Sequence, residues 1–132
     1  MEEHEASPQA ILLSVRPQFA NAIAAGTKTV ELRRRFPRVS PGTLLIIYAT
    51  LPVGAIVGAC RIEATDHDST SKLWHRYRSR MAINGKEFRR YFVGTNTGTA
   101  LQINSYSALL EPVPLPELRR RIPGFRPPQS FR

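Results

Sequence analysis

Apolar and polar positions change rhythm several times along the chain, and each change marks an element. "AILLSV" (10–15) is a short apolar run, long enough for a buried strand. "RP" follows, with Pro17 at a first helical position. "QFANAIAAG" then pairs Phe19 with Ile23 and Ala20 with Ala24, predicting a helix of about two turns with Gly26 just past its end. In "KTVELRRRF" (28–36) the pattern alternates. Val30 and Leu32 share one face, while Thr29, Glu31, Arg33 and Arg35 share the other, which predicts a half-buried strand. Beyond the turn-rich "FPRVSPG", "TLLIIYATLP" (43–52) is apolar on both faces, as a central strand is. "VGAIVGACRIEATD" (53–66) predicts another strand, with Ile56, Cys60, Ile62 and Ala64 on one side and Arg61, Glu63 and Thr65 on the other.

Helical spacing returns in "SKLWHRYRSRMAI" (71–83), where Trp74, Tyr77 and Met81 line one face and Lys72, Arg76 and Arg80 another. "GKEFRRYFVG" continues as a second short amphipathic helix carrying Phe88, Tyr91 and Phe92. "GTALQINSYSALLEPVPL" (98–115) reads as strand, and "PLPELRRRIPGFRPPQSFR" as a Pro-rich, Arg-rich tail. The pattern shows no internal repeat and no second core. Residues 10–132 therefore form one expected domain behind a mobile acidic tail (1–9), and its class is α+β or a compact barrel with short helices. No apolar run approaches the roughly 20 residues that span a bilayer, and the acidic, polar start is unlike a secretory signal or transit peptide. Cys60 is the single cysteine, expected as a buried thiol, and the cytoplasm is the expected compartment.

Charge changes the picture most. The formal net charge is +9 and the pI about 10.8. Glu2, Glu3 and Glu5 lie in the tail, so the domain is more basic still. Such a domain attracts polyanions by Coulomb steering and counterion release. Arg greatly outnumbers Lys, and its planar fork both grips phosphate and stacks on bases, although a GC-rich genome also produces this ratio.

Within this basic chain, "GTKTVELRRR" (26–35) sets one carboxylate among the densest positive charge. Gly26 allows a sharp helix end. Lys28 and Arg33 can hold phosphate or a base edge. Glu31 only accepts hydrogen bonds, so it can receive the exocyclic amine of cytosine or adenine, or orient a neighbouring Arg. Strict alternation separates Lys28 from Glu31 and Arg33 unless Lys28 precedes the regular pleat. Ser14 and Arg16 end the first strand and open a helix whose N–H groups could meet a phosphate or simply be capped. Arg34 and Arg35 read as solvated or phosphate-facing charge, and the Lys72, Arg76 and Arg80 stripe as a solvent face. Tyr48, with one of the later aromatics, is a candidate stacking platform. "DHD" (66–68) diverges on a strand, the histidines lack partners at metal-ligand spacing, and no metal or cofactor is expected. "GTNTGT" lacks the Gly-Lys-Ser/Thr of a P-loop.

The Gly-x-Lys-x-x-Glu-x-Arg spacing of Gly26, Lys28, Glu31 and Arg33 resembles the signature of ASCH domains, relatives of the PUA fold. "LLSVRPQFANAIAAGTKTVELRRRFP", "LLIIYATLPVGAIVGACRIE" and the closing "PPQSFR" extend the resemblance over roughly residues 11–132. It implies a PUA-like β-barrel with a cleft beside the motif strand and an association with RNA, and that Lys28 joins Glu31 and Arg33 there. One branch of these proteins hydrolyses the amide of an acetylated cytidine with a Lys, a Thr and a Glu. Lys28 matches the first, but Glu31 stands where the Thr would be, and "RMAING" (80–85) contains no acid. Ribonuclease activity is a further implication, and it would rest on Lys28 and Glu31. The expected function is thus a nucleic-acid-binding module in which Ser14, Arg16, Gly26, Lys28, Glu31, Arg33, Arg34 and Arg35 meet RNA. An RNA-processing enzyme (ribonuclease or nucleoside amidohydrolase) using the same cleft is the alternative, with DNA or a small nucleoside as other ligands. Arg33→Ala and Glu31→Ala are expected to weaken recognition and leave folding intact.

Overall fold

The computed structural model describes residues 10–130. Five strands and four α-helices follow in the order β1 (Ala10–Val15), α1 (Pro17–Ala25), β2 (Val30–Arg33), β3 (Thr43–Ala49), β4 (Ala55–Ser69), α2 (Thr70–Tyr77), α3 (Gly85–Tyr91), β5 (Thr97–Pro114) and α4 (Leu115–Arg121). The class is α+β, as the pattern predicts. No helix among the described residues is long and apolar enough to cross a membrane.

Local chemistry sets the helix ends. Pro17 opens α1 without leaving a stranded donor, and Gly26 closes it in the left-handed region at φ 81°, its N–H reaching Ile23 O. Ser69 caps α2 by accepting from Lys72 N. Asn84 and Glu87 cap α3 reciprocally, each side chain accepting from the other's backbone N–H at 2.8 and 3.0 Å.

The sheet runs β1-β3-β4-β5-β2, with β1 parallel to β3 and the other pairs antiparallel. β4 and β5 are long and broken by register shifts, the usual means of bending a ladder strongly. At one shift Gly58 meets its partner strand so closely that a Cβ there would lie 2.7 Å from Ser107 O. Backbone pairing among the described residues does not close the sheet, because β1 and β2 are the two edges and no ladder joins them. A side chain bridges the gap instead: Arg33 Nη2 on β2 donates to Ser14 O on β1 at 3.0 Å. The sheet thus brings its two edges together without closing, leaving an open seam between β1 and β2.

Inside it, Leu13, Val15, Leu45, Ile47, Ile62 and Leu101 form the main core, with Ala20 and Ile23 of α1 packed on it and Cys60 buried as a free thiol. Contrary to the single expected core, a second apolar cluster joins Val30 and Leu32 to Leu73, Tyr77, Met81, Phe88 and Phe92. That cluster also corrects the half-buried strand. All four residues of β2 are buried, because α2 and α3 cover the apolar face and the seam encloses the polar one. Two more expectations change. The helix at 71–83 ends at Tyr77, continues as a single 3-10 turn (Arg78–Arg80) and is broken by Ala82 at φ 55°. The 114–132 tail contains α4, whose Leu118 packs with Phe125 on Tyr48.

Candidate functional site at the barrel seam

A cavity of about 670 Å³ opens at this seam, within the roughly 300–1,000 Å³ range typical of small-ligand sites. Its floor is the motif. Lys28 lies in the turn between α1 and β2, before the pleat begins, so it points to the same side as Glu31 and Arg33, as the resemblance implied. Its Nζ donates to Met81 O at 2.6 Å, stands 3.4 Å from Glu31 Oε1, and sits 4.8 Å above the Phe19 ring. Glu31 Oε2 accepts from Arg33 Nη2 at 2.7 Å and Nε at 3.1 Å. All three residues are buried, at 3%, 5% and 8% exposure.

This burial is the physical reason for the lone carboxylate. Two cations enclosed together repel and are poorly hydrated, and a carboxylate between them offsets both costs. The remaining imbalance shows in Lys28. Burial holds its amine below the ordinary lysine value, only partly opposed by Glu31.

Arg33 also ties down the C-terminal segment. Its Nη1 donates to Ser130 Oγ at 3.0 Å, Ser14 N donates to Ser130 O at 2.9 Å, and Ser14 Oγ donates to Pro128 O at 2.7 Å. Residues 128–130 are thereby stitched across the seam, with Pro128 and Gln129 in the cavity wall. Ser14 is thus a tether for this segment and not a helix cap. Arg16 holds the N-cap position of α1 without a side-chain cap and lies exposed at the rim.

Other expected site residues are elsewhere. Gly26 shapes the end of α1 and does not line the cavity. Arg34 turns outward, donating to Val93 O at 2.9 Å and Tyr91 O at 3.5 Å, and with Arg35 lines a separate recess. Tyr48 is 2% exposed and buried under α4, which removes it as a stacking platform. Arg76 is drawn to Asp66 and Asp68, and Arg80 to Thr29 and Gln102, so two of the three cations in that stripe bind the fold's own acceptors.

Sequence reasoning left most of the remaining lining unassigned, placing Tyr91 only among the later aromatics of which one could stack on a base. Phe19, Ile83, Glu87, Arg90 and Tyr91 complete the cavity. The Tyr91 hydroxyl is a donor and acceptor available to a ligand. The Asn84–Glu87 capping box was the available signal. It marks where the chain turns to present the exposed edge of α3, but only the tertiary fold brings that edge against β2.

The sequence model of the ASCH domain matches residues 13–107. An "ASCH domain-containing ribonuclease" from Zymomonas mobilis is 36% identical over 120 residues, spanning 91% of this chain and 80% of that protein. The crystal structure of ASCH from Zymomonas mobilis superposes with a TM-score of 0.89 at 35% identity, covering 94% of this chain and 86% of that one. The N-terminal domain of Staphylothermus marinus McrB shares the fold alone, with a TM-score of 0.53 at 10% identity over 93% of this chain and 86% of that one. With most of its length matched by the family's model, and a relative this similar across nearly all of it, the chain belongs to the ASCH domain family.

Proposed function

We propose that this protein binds single-stranded RNA by drawing one nucleotide into the seam cavity. The observation that carries this reading is the cavity's composition. Apolar walls from Phe19, Ile83, Tyr91 and Pro128 stand over a charged floor, and exposed Arg16 and Arg90 stand at the rim. A base fits such walls only when unstacked, which favours single strands over duplex. At the floor, Lys28 offers a donor and Glu31 an acceptor to a base edge, while the rim arginines meet the flanking phosphates. The relative named a ribonuclease supports RNA as the polymer.

Cleavage of the bound strand is the second reading, favoured by that name and by the lowered Lys28 amine. Lys28 in its unprotonated form would take the proton of a 2′-hydroxyl, whose oxygen attacks the adjacent phosphorus while the bond from phosphorus to the 5′-oxygen breaks and that oxygen takes a proton from water. Glu31 is less suited to the role of base, since both its oxygens already face cations.

The test is binding of labelled single- and double-stranded RNA and DNA to the parent, Arg90→Ala and Tyr91→Ala proteins, with gels following strand integrity. Both substitutions fall on exposed residues. We expect parent selectivity for single-stranded RNA and a loss of about tenfold in each variant. Equal binding by all three proteins overturns the cavity as the site. Strand scission by the parent that Lys28→Met abolishes establishes the second reading.

A further inference from the structure

A second recess lies just past the end of β2, and apart from Phe36 and Gly98 its lining is polar or charged. Arg34 and Arg35 supply guanidinium groups, while Ser69, Thr97 and Thr99 bring hydroxyls and His67 an imidazole. The single acid in the lining, Asp68, is already committed: its Oδ1 accepts from Ser69 N at 2.8 Å and its Oδ2 from Arg76 Nη2 at 3.3 Å. Arg35 is exposed and has no hydrogen-bond or ion-pair partner among the described residues. His67 Nδ1 pairs with Thr99 Oγ1 at 2.8 Å, which leaves Nε2 as the one buried side-chain nitrogen or oxygen without a partner among the described residues. A buried polar atom left in that state is costly, and a ligand group that hydrogen-bonds to it removes the cost.

The recess adjoins the seam cavity through covalent and hydrogen-bonded links. Arg33 lines the cavity and Arg34, the next residue, lines the recess. The Arg34 guanidinium donates to the carbonyl oxygen of Tyr91, whose side chain stands in the cavity wall. Both hollows therefore flank the same short stretch, where the end of β2 meets the end of α3. A strand with one nucleotide in the cavity carries a phosphate on either side of it, and a cationic, hydroxyl-rich hollow is suited to such a group.

We propose that this recess is a phosphate subsite, taking a backbone phosphate of the same RNA strand whose nucleotide occupies the seam cavity. Arg35 supplies the free charge, Arg34 forms the shared wall, and the Thr99-His67 pair lines the back. The proposal rests on the RNA reading for the identity of its ligand, but the anion site stands on its own geometry. It makes the functional substrate an oligonucleotide, with a free mononucleotide filling only half of the binding surface.

Two measurements test it. In the first, inorganic phosphate is titrated into the parent protein while the imidazole NMR signals of His67 are followed, assigned through His67→Gln. We expect a saturable perturbation that Arg35→Ala weakens and Arg35→Lys retains in part. A phosphate-independent His67 signal overturns the anion site. In the second, mono-, di-, tri- and hexanucleotides of RNA are bound to parent and Arg35→Ala across a salt series. We expect parent affinity to step upward with length and the variant to lack that step, with its salt slope smaller by about 0.7–1 for the longer strands. Mononucleotide binding should be equal in the two proteins. An identical length step in both overturns the link to the strand, even if phosphate perturbs His67. Failure of the parent to bind any mononucleotide, with the phosphate response intact, counts against the seam cavity and not against the recess.

Discussion

At the scale of single residues, the cluster of Lys28, Glu31 and Arg33 serves two purposes that compete. It floors the cavity, and it is buried deeply enough to hold the seam together. Truncating Glu31 would leave two enclosed cations without their carboxylate. We expect Glu31→Ala to lower stability by about 3–5 kcal/mol in urea unfolding, so the expectation that folding survives this change intact does not fit a carboxylate 5% exposed. Lys28 adds a pH dependence. Its folded value is lowered from 10.5 by burial. Between that lowered value and 10.5 the unfolded chain holds a proton that the folded chain has released, so stability rises with pH across this window. Below the window the full penalty of the buried charge is present. Urea midpoints of parent and Lys28→Met should therefore diverge in the parent's favour as pH climbs through that range. A constant difference between the two would mean that the amine titrates as it does in water.

At the scale of elements, β2 shows how a short segment acquires a role its pattern does not display. Alternation correctly separated Val30 and Leu32 from Glu31 and Arg33, and both faces were then covered by other elements. The half-buried expectation failed because alternation records which side chains are apolar and not what lies over the polar ones. The loop before α3 shows a similar dependence. Met81 O receives the Lys28 amine, Ala82 adopts the left-handed region at φ 55°, and Asn84 caps the helix that displays Arg90 and Tyr91. Strain of this kind persists where surrounding contacts over-determine the backbone. We expect Asn84→Ala to cost about 1 kcal/mol in stability and to weaken RNA binding as well, by loosening the edge of α3. A variant that loses stability but binds as the parent does would separate α3 from the site.

At the scale of the whole molecule, the open seam is the determining feature. Sheet edges left unpaired are normally covered or blunted. Here the two edges approach each other, the gap is bridged by one guanidinium, and the last described residues cross it. That arrangement makes a cavity where backbone pairing between β1 and β2 is missing. Ser130→Ala removes the hydroxyl that Arg33 Nη1 reaches. We expect a stability loss of about 1–3 kcal/mol, together with faster proteolysis of the C-terminal segment. Unchanged stability and unchanged cleavage would show that the segment is held by the Ser14 N–H and hydroxyl alone.

Much of this protein was determined by its sequence alone. The strand and helix periods, Pro17 and Gly26 at the ends of α1, the buried Cys60 and the basic balance all act locally or through composition. So does the Lys28, Glu31 and Arg33 set, whose members lie within six residues of one another. What only the tertiary structure decided is nonlocal. α4 stayed hidden among prolines and arginines because its apolar contact, Leu118 on Tyr48, spans distant parts of the chain. The far wall of the cavity comes from α3, more than fifty residues beyond β2. The open seam depends on where β1 and β2 stop pairing, and Arg34 turned from the cavity toward carbonyl oxygens that no spacing places beside it. Periodicity states which face of an element is apolar. Only packing states what that face, and the polar face behind it, will meet.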